Sequence, residues 1–330
     1  MRLTSRSASN TTNARTARRM LSVALITALS MAAASTASAQ ATVARPKLVR
    51  ADTAALRHAL DSITAGYHGV IGYSIQDLET GDHLSQRGDE TFPTASLIKV
   101  PILTTVYDLV ARGDLSLDDP LTILKIDQVP GSGSMQFLHN GAIVTVHDAA
   151  WFMATQSDNS ATNLLLDKII IRRVWNEMDS LGLHHTKVHS KVFRGSASVA
   201  PDSSKKYGLG VTTPNEMAHL FDLMAHGKAV NPQADSAMLY ILQHNEDHTL
   251  LQRYLNGVRA AHKTGATDSV RTECSLFYLR DRVVACVLTK ENQDTRWVLD
   301  TEPQLVMGRM GDAIVRAWGG APPARKEEKE

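Results

Sequence analysis

Apolar and polar positions along this chain switch between two periods. Residues 51–66, ADTAALRHALDSITAG, put Leu56, Leu60 and Ile63 on one side of a helix. HGVIGYSIQDLET then alternates with the two-residue period of a strand, and Thr80-Gly81-Asp82 turns it into a second strand ending near Gln86. From Thr94 to Val110 the period is helical again. After a Gly/Ser/Pro loop at 127–134 (DQVPGSGS), helical stretches cover Thr145–Gln156, Ser160–Ile170 and Arg172–Leu181. Residues 186–212 read as irregular, basic and rich in Ser and Gly, and connections of that length are usually functional or mobile. Helices at about Pro214–His226 and Pro232–His244 precede three strands, VRAAHKT, TECSLFYLR and RVVACVLTK, and a last helix spans about Thr301–Trp318. Strands at both ends with helices between them predict an α+β fold. One antiparallel sheet is assembled from the N- and C-terminal segments, with an all-helical region inserted at about 94–245.

Composition narrows the function. A length of 330 residues fits one large domain or two intimately joined ones. The formal net charge of +1 gives no reason to expect nucleic acid or an anionic membrane as partner, and an aromatic content of 5% argues against a base-stacking platform. The first 19 residues carry Arg2, Arg6, Arg15, Arg18 and Arg19 and no acid; an apolar run from Met20 to about Ala34 and the site Ala37-Ser38-Ala39 follow. That order describes a signal peptide, residues 1–39, cut before Gln40, and an exported periplasmic or secreted protein. The rival reading, a membrane anchor, needs a longer and more strongly apolar span. A catalytic domain at 40–320, a disordered tail at 321–330 and a monomer without stable membrane insertion are expected. The two cysteines, Cys274 and Cys286, sit on neighbouring strands. A three-residue turn, Leu279 to Asp281, puts them opposite each other and permits a disulfide; a two-residue turn puts them on opposite faces, as buried thiols.

Three short motifs carry chemistry. Ser96-Leu97-Ile98-Lys99 stands at a helix start, where positions three apart share a face, so an amine can reach a serine hydroxyl and act as its base. The very apolar continuation VPILTTVYDLV sets that serine into the interior. Ser157-Asp158-Asn159 offers a hydroxyl for proton relay and an amide for hydrogen bonding, or simply a cap for the helix that follows. Lys263-Thr264-Gly265 on the first C-terminal strand can line a cleft, with Gly admitting close approach to the backbone; alternatively the glycine marks a bulge. Arg271, after the turn, is either a carboxylate ligand or an exposed strand-end arginine. His184, His185 and His189 lack metal-ligand spacing and read as loop histidines, so no metal or cofactor is expected.

Together, in this order and on these elements, the three motifs resemble the class A β-lactamases and penicillin-binding proteins over about residues 50–320. PTASLIKVPIL, SDNSATNLLL and VTTPNEMAHL agree with that resemblance. It implies an α/β sandwich beside a helical region, with the site between them, and a serine hydrolase working through an acyl-enzyme on Ser96. Lys99 and Ser157 would move protons, Asn159 would hold the substrate amide, and Lys263 and Thr264 its carboxylate. The N–H groups of Ser96 and Ala266 would bind the oxyanion. Expected substrates are β-lactams or D-alanyl peptides. One departure stands out: where class A enzymes carry E-x-x-x-N, the loop HHTKVHSKVFRGSASVAPDSSKKYG has no Glu, Val192 falls near its position, and Asp202 is the loop's one carboxylate. Three functions therefore compete: β-lactam hydrolysis, a D-Ala-D-Ala carboxypeptidase or other peptidase or esterase, and a cell-wall-peptide binding protein without turnover.

Overall fold

The computed structural model describes residues 50–319; the expected signal peptide and tail lie outside the described residues. In chain order the first elements are α1 (Thr53–Thr64), β1 (Val70–Asp77), β2 (His83–Gln86) and the short β3 (Phe92–Pro93). A 3₁₀ turn, Ala95–Ile98, leads into α2 (Lys99–Ala111), followed by the hairpin β4 (Pro120–Ile123) and β5 (Ala142–Thr145). Next come α3 (Val146–Thr155), α4 (Asn159–Ile169), α5 (Ile171–Ser180), β6 (Lys187–Val188), α6 (Pro201–Tyr207) and β7 (Gly210–Thr212). The chain continues with α7 (Pro214–Ala225), α8 (Pro232–Leu242), β8 (Ala260–Thr267), β9 (Val270–Tyr278), β10 (Arg282–Lys290) and α9 (Glu302–Ala317).

The central sheet has five strands in the order β2-β1-β10-β9-β8, every neighbour antiparallel, so the two ends of the chain meet at β1–β10. Alternation along β10 divides the core. Val283, Ala285 and Val287 pack with Leu60 of α1 and Met307 and Ile314 of α9, whereas Val284, Cys286 and Leu288 face the helical region. Strands β9 and β10 are buried on both faces, which is why their apolar runs are nearly continuous. Inside the helical region α2 is the central helix: every residue from Lys99 to Tyr107 is buried, matching its lack of a polar face. The expected α+β architecture is thus present, but the insertion at 94–245 is not all-helical: it also carries the β4–β5 hairpin and, in β6 and β7, most of a small sheet with β3, strands too short to show a period in the sequence.

Two expectations are resolved here. The turn between β9 and β10 spans Leu279 to Asp281, Cys274 pairs directly with Cys286, and the two form a disulfide. Residues 186–212, read as irregular, contain β6, α6 and β7. Strands of two and three residues are too short to show a period, and the seven-residue α6 has no buried face to pattern it.

Candidate active site

Residue 96 sits where a strand edge, a tight turn and a buried helix converge. Thr94 N–H donates to Gly210 O, Ala95 takes a φ of +45° and Ser96 follows on the 3₁₀ turn. Edge strand β8 lies directly against that turn. A Cβ on Gly265 would stand 2.5 Å from Thr94 O and 2.8 Å from Leu97 N, so only glycine allows the approach. Thr272 Oγ1 adds a hydrogen bond to Thr94 O at 2.8 Å.

Lys99 is 1% exposed. Its Nζ bonds to Ser157 O at 2.6 Å, Asn159 Oδ1 at 2.9 Å and Ser157 Oγ at 3.1 Å. Burial, and secondarily the charge of Lys263, pushes its pKa well below the usual lysine range, while Asp158 pulls the other way. A neutral amine donates two hydrogens and accepts one. Two of these contacts are to oxygens that only accept, Ser157 O and Asn159 Oδ1, which leaves the lone pair for a hydroxyl.

The turn carrying Ser157 is held from both sides. Asp158 caps α4 through Ala161 N–H at 2.8 Å and takes Met135 N–H at 2.7 Å, while Asn159 Nδ2 donates to Pro130 O at 3.0 Å. The cap is therefore Asp158, and Ser157, at a φ of +55°, turns toward the lysines. Such a backbone conformation costs a non-glycine residue about 1–3 kcal/mol and persists only when its surroundings over-determine it. Gly133 completes the clamp, since a Cβ there would overlap Asp158 at 2.2 Å.

Lys263 is fully buried and donates to Thr264 O at 2.8 Å and Ser157 Oγ at 3.2 Å. Ser157 Oγ thus stands between two lysine nitrogens. Burial lowers the Lys263 pKa to about 8, against the carboxylates of Asp247 and Glu273, which keep it from falling further. Sequence reading missed both acids. Asp247 lies in a loop with no motif, but Glu273 had a signal: it is the lone acid in the largely apolar segment TECSLFYLR. Glu273 is fully buried and accepts Leu251 N–H at 2.6 Å and Ser275 Oγ–H at 2.8 Å. The His262 ring nitrogen is 3.0 Å from its carboxylate, out of hydrogen-bond alignment.

Ser96, Asn159 and Ala266 line one cleft of about 630 Å³, with Ser132, Val192, Thr267 and Trp297. An adjoining cavity of about 540 Å³ shares Ser132 and reaches Ser157. A third, of about 700 Å³ among α2, α3 and α8, is lined by Tyr107, Trp151 and Tyr240 and holds none of these groups.

Two expected residues, Thr264 and Arg271, sit differently, and the loop carboxylate Asp202 lies apart from the cleft. Thr264, 4% exposed, does not line the cleft and gives its hydroxyl to Asp247. Arg271 is neither a cleft ligand nor an exposed strand end. It is 3% exposed, and its guanidinium holds the carbonyls of Thr267, Val270 and Arg296 beside the Trp297 ring. The five-stranded register places it opposite Ala266, inside the hairpin it braces. Asp202 is fully exposed on α6, its nearest cation Lys205 at 3.7 Å, and does not line the cleft. Val192 does line it. Its backbone is gripped by the Asn163 side chain, which accepts Val192 N–H at 2.8 Å and donates to Val192 O at 3.1 Å. The loop histidines have separate partners: Asp179 for His184, Glu216 for His185 and Gly208 O for His189.

Known proteins share the sequence family and the fold. The beta-lactamase enzyme family matches residues 55–318. Beta-lactamase CARB-4 of Pseudomonas aeruginosa is 23% identical over 62% of this chain and 70% of its own length. Beta-lactamase AER-1 of Aeromonas hydrophila is 27% identical over 65% and 70%. Among solved structures, a beta-lactamase from Sphaerobacter thermophilus superposes with a TM-score of 0.72 at 26% identity, covering 82% of this chain and all of that one. An acyl-enzyme complex of a PBP-A mutant with penicillin-G shares the fold at a TM-score of 0.70 and 23% identity, over 82% of this chain and 98% of that one. The chain belongs to the beta-lactamase enzyme family and is a serine-β-lactamase-like hydrolase.

Proposed function

We propose that Ser96 attacks the β-lactam amide and that the resulting acyl-enzyme is hydrolysed slowly. The observation that carries this reading is the pairing of a buried, pKa-lowered Lys99 beside Ser157 with an apolar Val192 on the wall facing Ser96. Neutral Lys99 takes the Ser96 proton as Oγ bonds to the carbonyl carbon. The oxyanion is met by N–H groups of Ser96 and of Ala266 on edge strand β8. As the C–N bond breaks, Ser157 gives its proton to the leaving nitrogen and recovers one from Lys99. Lys263, cationic below about pH 8, stabilises Ser157 Oγ during the relay and attracts the ring carboxylate.

Water must then attack the ester, and the cleft lining supplies no carboxylate to activate it. Loss of a general base typically slows the step it serves by about 10²–10⁴-fold. Mixing enzyme with a chromogenic cephalosporin should release a burst near one equivalent, followed by a slow steady rate. Intact-mass spectrometry should show one adduct on the peptide containing Ser96. Fast turnover without a burst, or an adduct surviving Ser96→Ala, contradicts the proposal. The same Val192 favours a second reading, a D-alanyl-D-alanine carboxypeptidase, which release of D-alanine from a model peptide tests directly. As part of the proposal, residues 1–39 direct export and are removed, so N-terminal sequencing of the mature protein should begin near Gln40.

A further inference from the structure

We infer that Arg194 makes the cleft selective for acyl donors whose side chain carries a carboxylate. This rests on acylation at Ser96 as proposed above and adds the substrate class. The loop wall of the cleft is made by Ser190, Lys191, Val192, Phe193 and Arg194, and neither Asp nor Glu lines it. Lys191 is neutralised by an ion pair with Asp167. The half-buried Arg194 guanidinium, by contrast, has no hydrogen bond, ion pair or ring contact among the described residues. A guanidinium presents five donors in a planar fork that matches a carboxylate, and here all five are uncommitted within a concave wall.

The direction of the substrate follows from the site. With the carbonyl oxygen held at Ser96 and Ala266, the leaving nitrogen points to Ser157. The acyl side chain, on the other bond of the carbonyl carbon, therefore extends away from Ser157, toward residues 190–195. Charge along the site is ordered the same way. At the Ser157 end Glu246 and Asp247 line the cavity and Lys263 stands beside Ser157, whereas at the loop end Arg194 is the cation without a partner among the described residues. A side-chain carboxylate is attracted by Arg194 at the loop end, while the ring carboxylate goes to Lys263 beside Ser157, which favours one orientation. Phe193 and Trp297, both lining the cleft, supply aromatic surface for the rest of the side chain.

Benzylpenicillin and α-carboxybenzylpenicillin differ by one carboxylate and isolate the effect. Rates of adduct formation on Ser96, followed by mass spectrometry with the full chain, should favour the carboxylated compound about fivefold, the range of a partly exposed ion pair. The preference should shrink toward unity in Arg194→Gln, and in the unaltered protein it should weaken between 20 mM and 500 mM salt, about 0.02 to 0.5 M in ionic strength. Nα-succinyl and Nα-acetyl D-alanyl-D-alanine peptides provide the same comparison for a peptide donor. Adducts forming at equal rates, or a preference that survives Arg194→Gln and high salt, overturn the inference while leaving acylation intact. No adduct with either penicillin defeats both proposals.

Discussion

Replacing Val192 by Glu should convert slow hydrolysis of the acyl-enzyme into turnover. Val192 is 8% exposed and lines the cleft with Ser96, and the two Asn163 hydrogen bonds hold its backbone whatever side chain it carries. A glutamate there adds a carboxylate at the end of a flexible stem, in a wall whose unpaired charge is the cationic Arg194, of the sign that keeps it ionised. The gain is that of a general base, about 10²–10⁴-fold in deacylation, or roughly 3–5 kcal/mol of barrier at 1.36 kcal/mol per tenfold. Against this, the variant loses valine packing and desolvates a charge, so stability should fall by about 2 kcal/mol. The assay is the lifetime of the penicillin adduct by mass spectrometry, alongside burst kinetics. Adduct lifetime should shorten at least about a hundredfold. Val192→Gln, equal in size but unable to take a proton, should leave it unchanged. A folded Val192→Glu variant whose adduct decays at the original rate would refute the assignment of this position to the hydrolytic water.

Lys99→Arg keeps the charge but cannot become a neutral base, so acylation of Ser96 should fall by about 10²–10⁴-fold, measured as loss of the penicillin adduct. The acylation rate should rise with pH as buried Lys99 gives up its proton, then decline above about pH 8 as Lys263 loses the charge that the relay uses; a pH–rate profile checks both limbs. Asp202→Asn should leave deacylation unchanged in the same mass assay, because that carboxylate stands fully in solvent. Removing the disulfide with Cys274→Ser and Cys286→Ser together should cost about 2–3 kcal/mol, seen as a lower urea midpoint.

The site was legible where local chemistry and element type coincide. Ser96 and Lys99 head a continuously apolar helix, and Ser157-Asp158-Asn159 precedes another, so each motif could be placed before any tertiary contact was known. What failed to read was orientation. Arg271 read as either a carboxylate ligand or an exposed strand end, because a strand end in sequence gives no hint that a hairpin will close over it. Thr264 looked like a cleft residue because its buried partner, Asp247, comes from a loop without periodicity. The loop cation Arg194 has no motif at all. Its setting is defined only by residues brought in from β8, α4 and the 297 region. Val192 was readable from the absence of Glu, but its grip by Asn163 links positions 29 apart.

The pairing of β1 with β10 has a consequence for how the protein comes into being. Val70 finds its partner in Lys290 and Asp77 in Val283, so the middle of the sheet joins segments separated by most of the chain. Closing so long a loop is entropically costly and places the protein among slow, high-contact-order folders. A nascent chain lacking β10 has only the β1–β2 hairpin and the β8–β9 hairpin, each missing its central neighbour. α1 likewise waits for α9, its packing partner on the outer face. Synthesis at about 5–20 residues per second therefore leaves the chain without a closed sheet until its last fifth has emerged. Folding is gated by completion of the polypeptide, and a truncation ending before β10 removes the sheet's centre, not merely its edge.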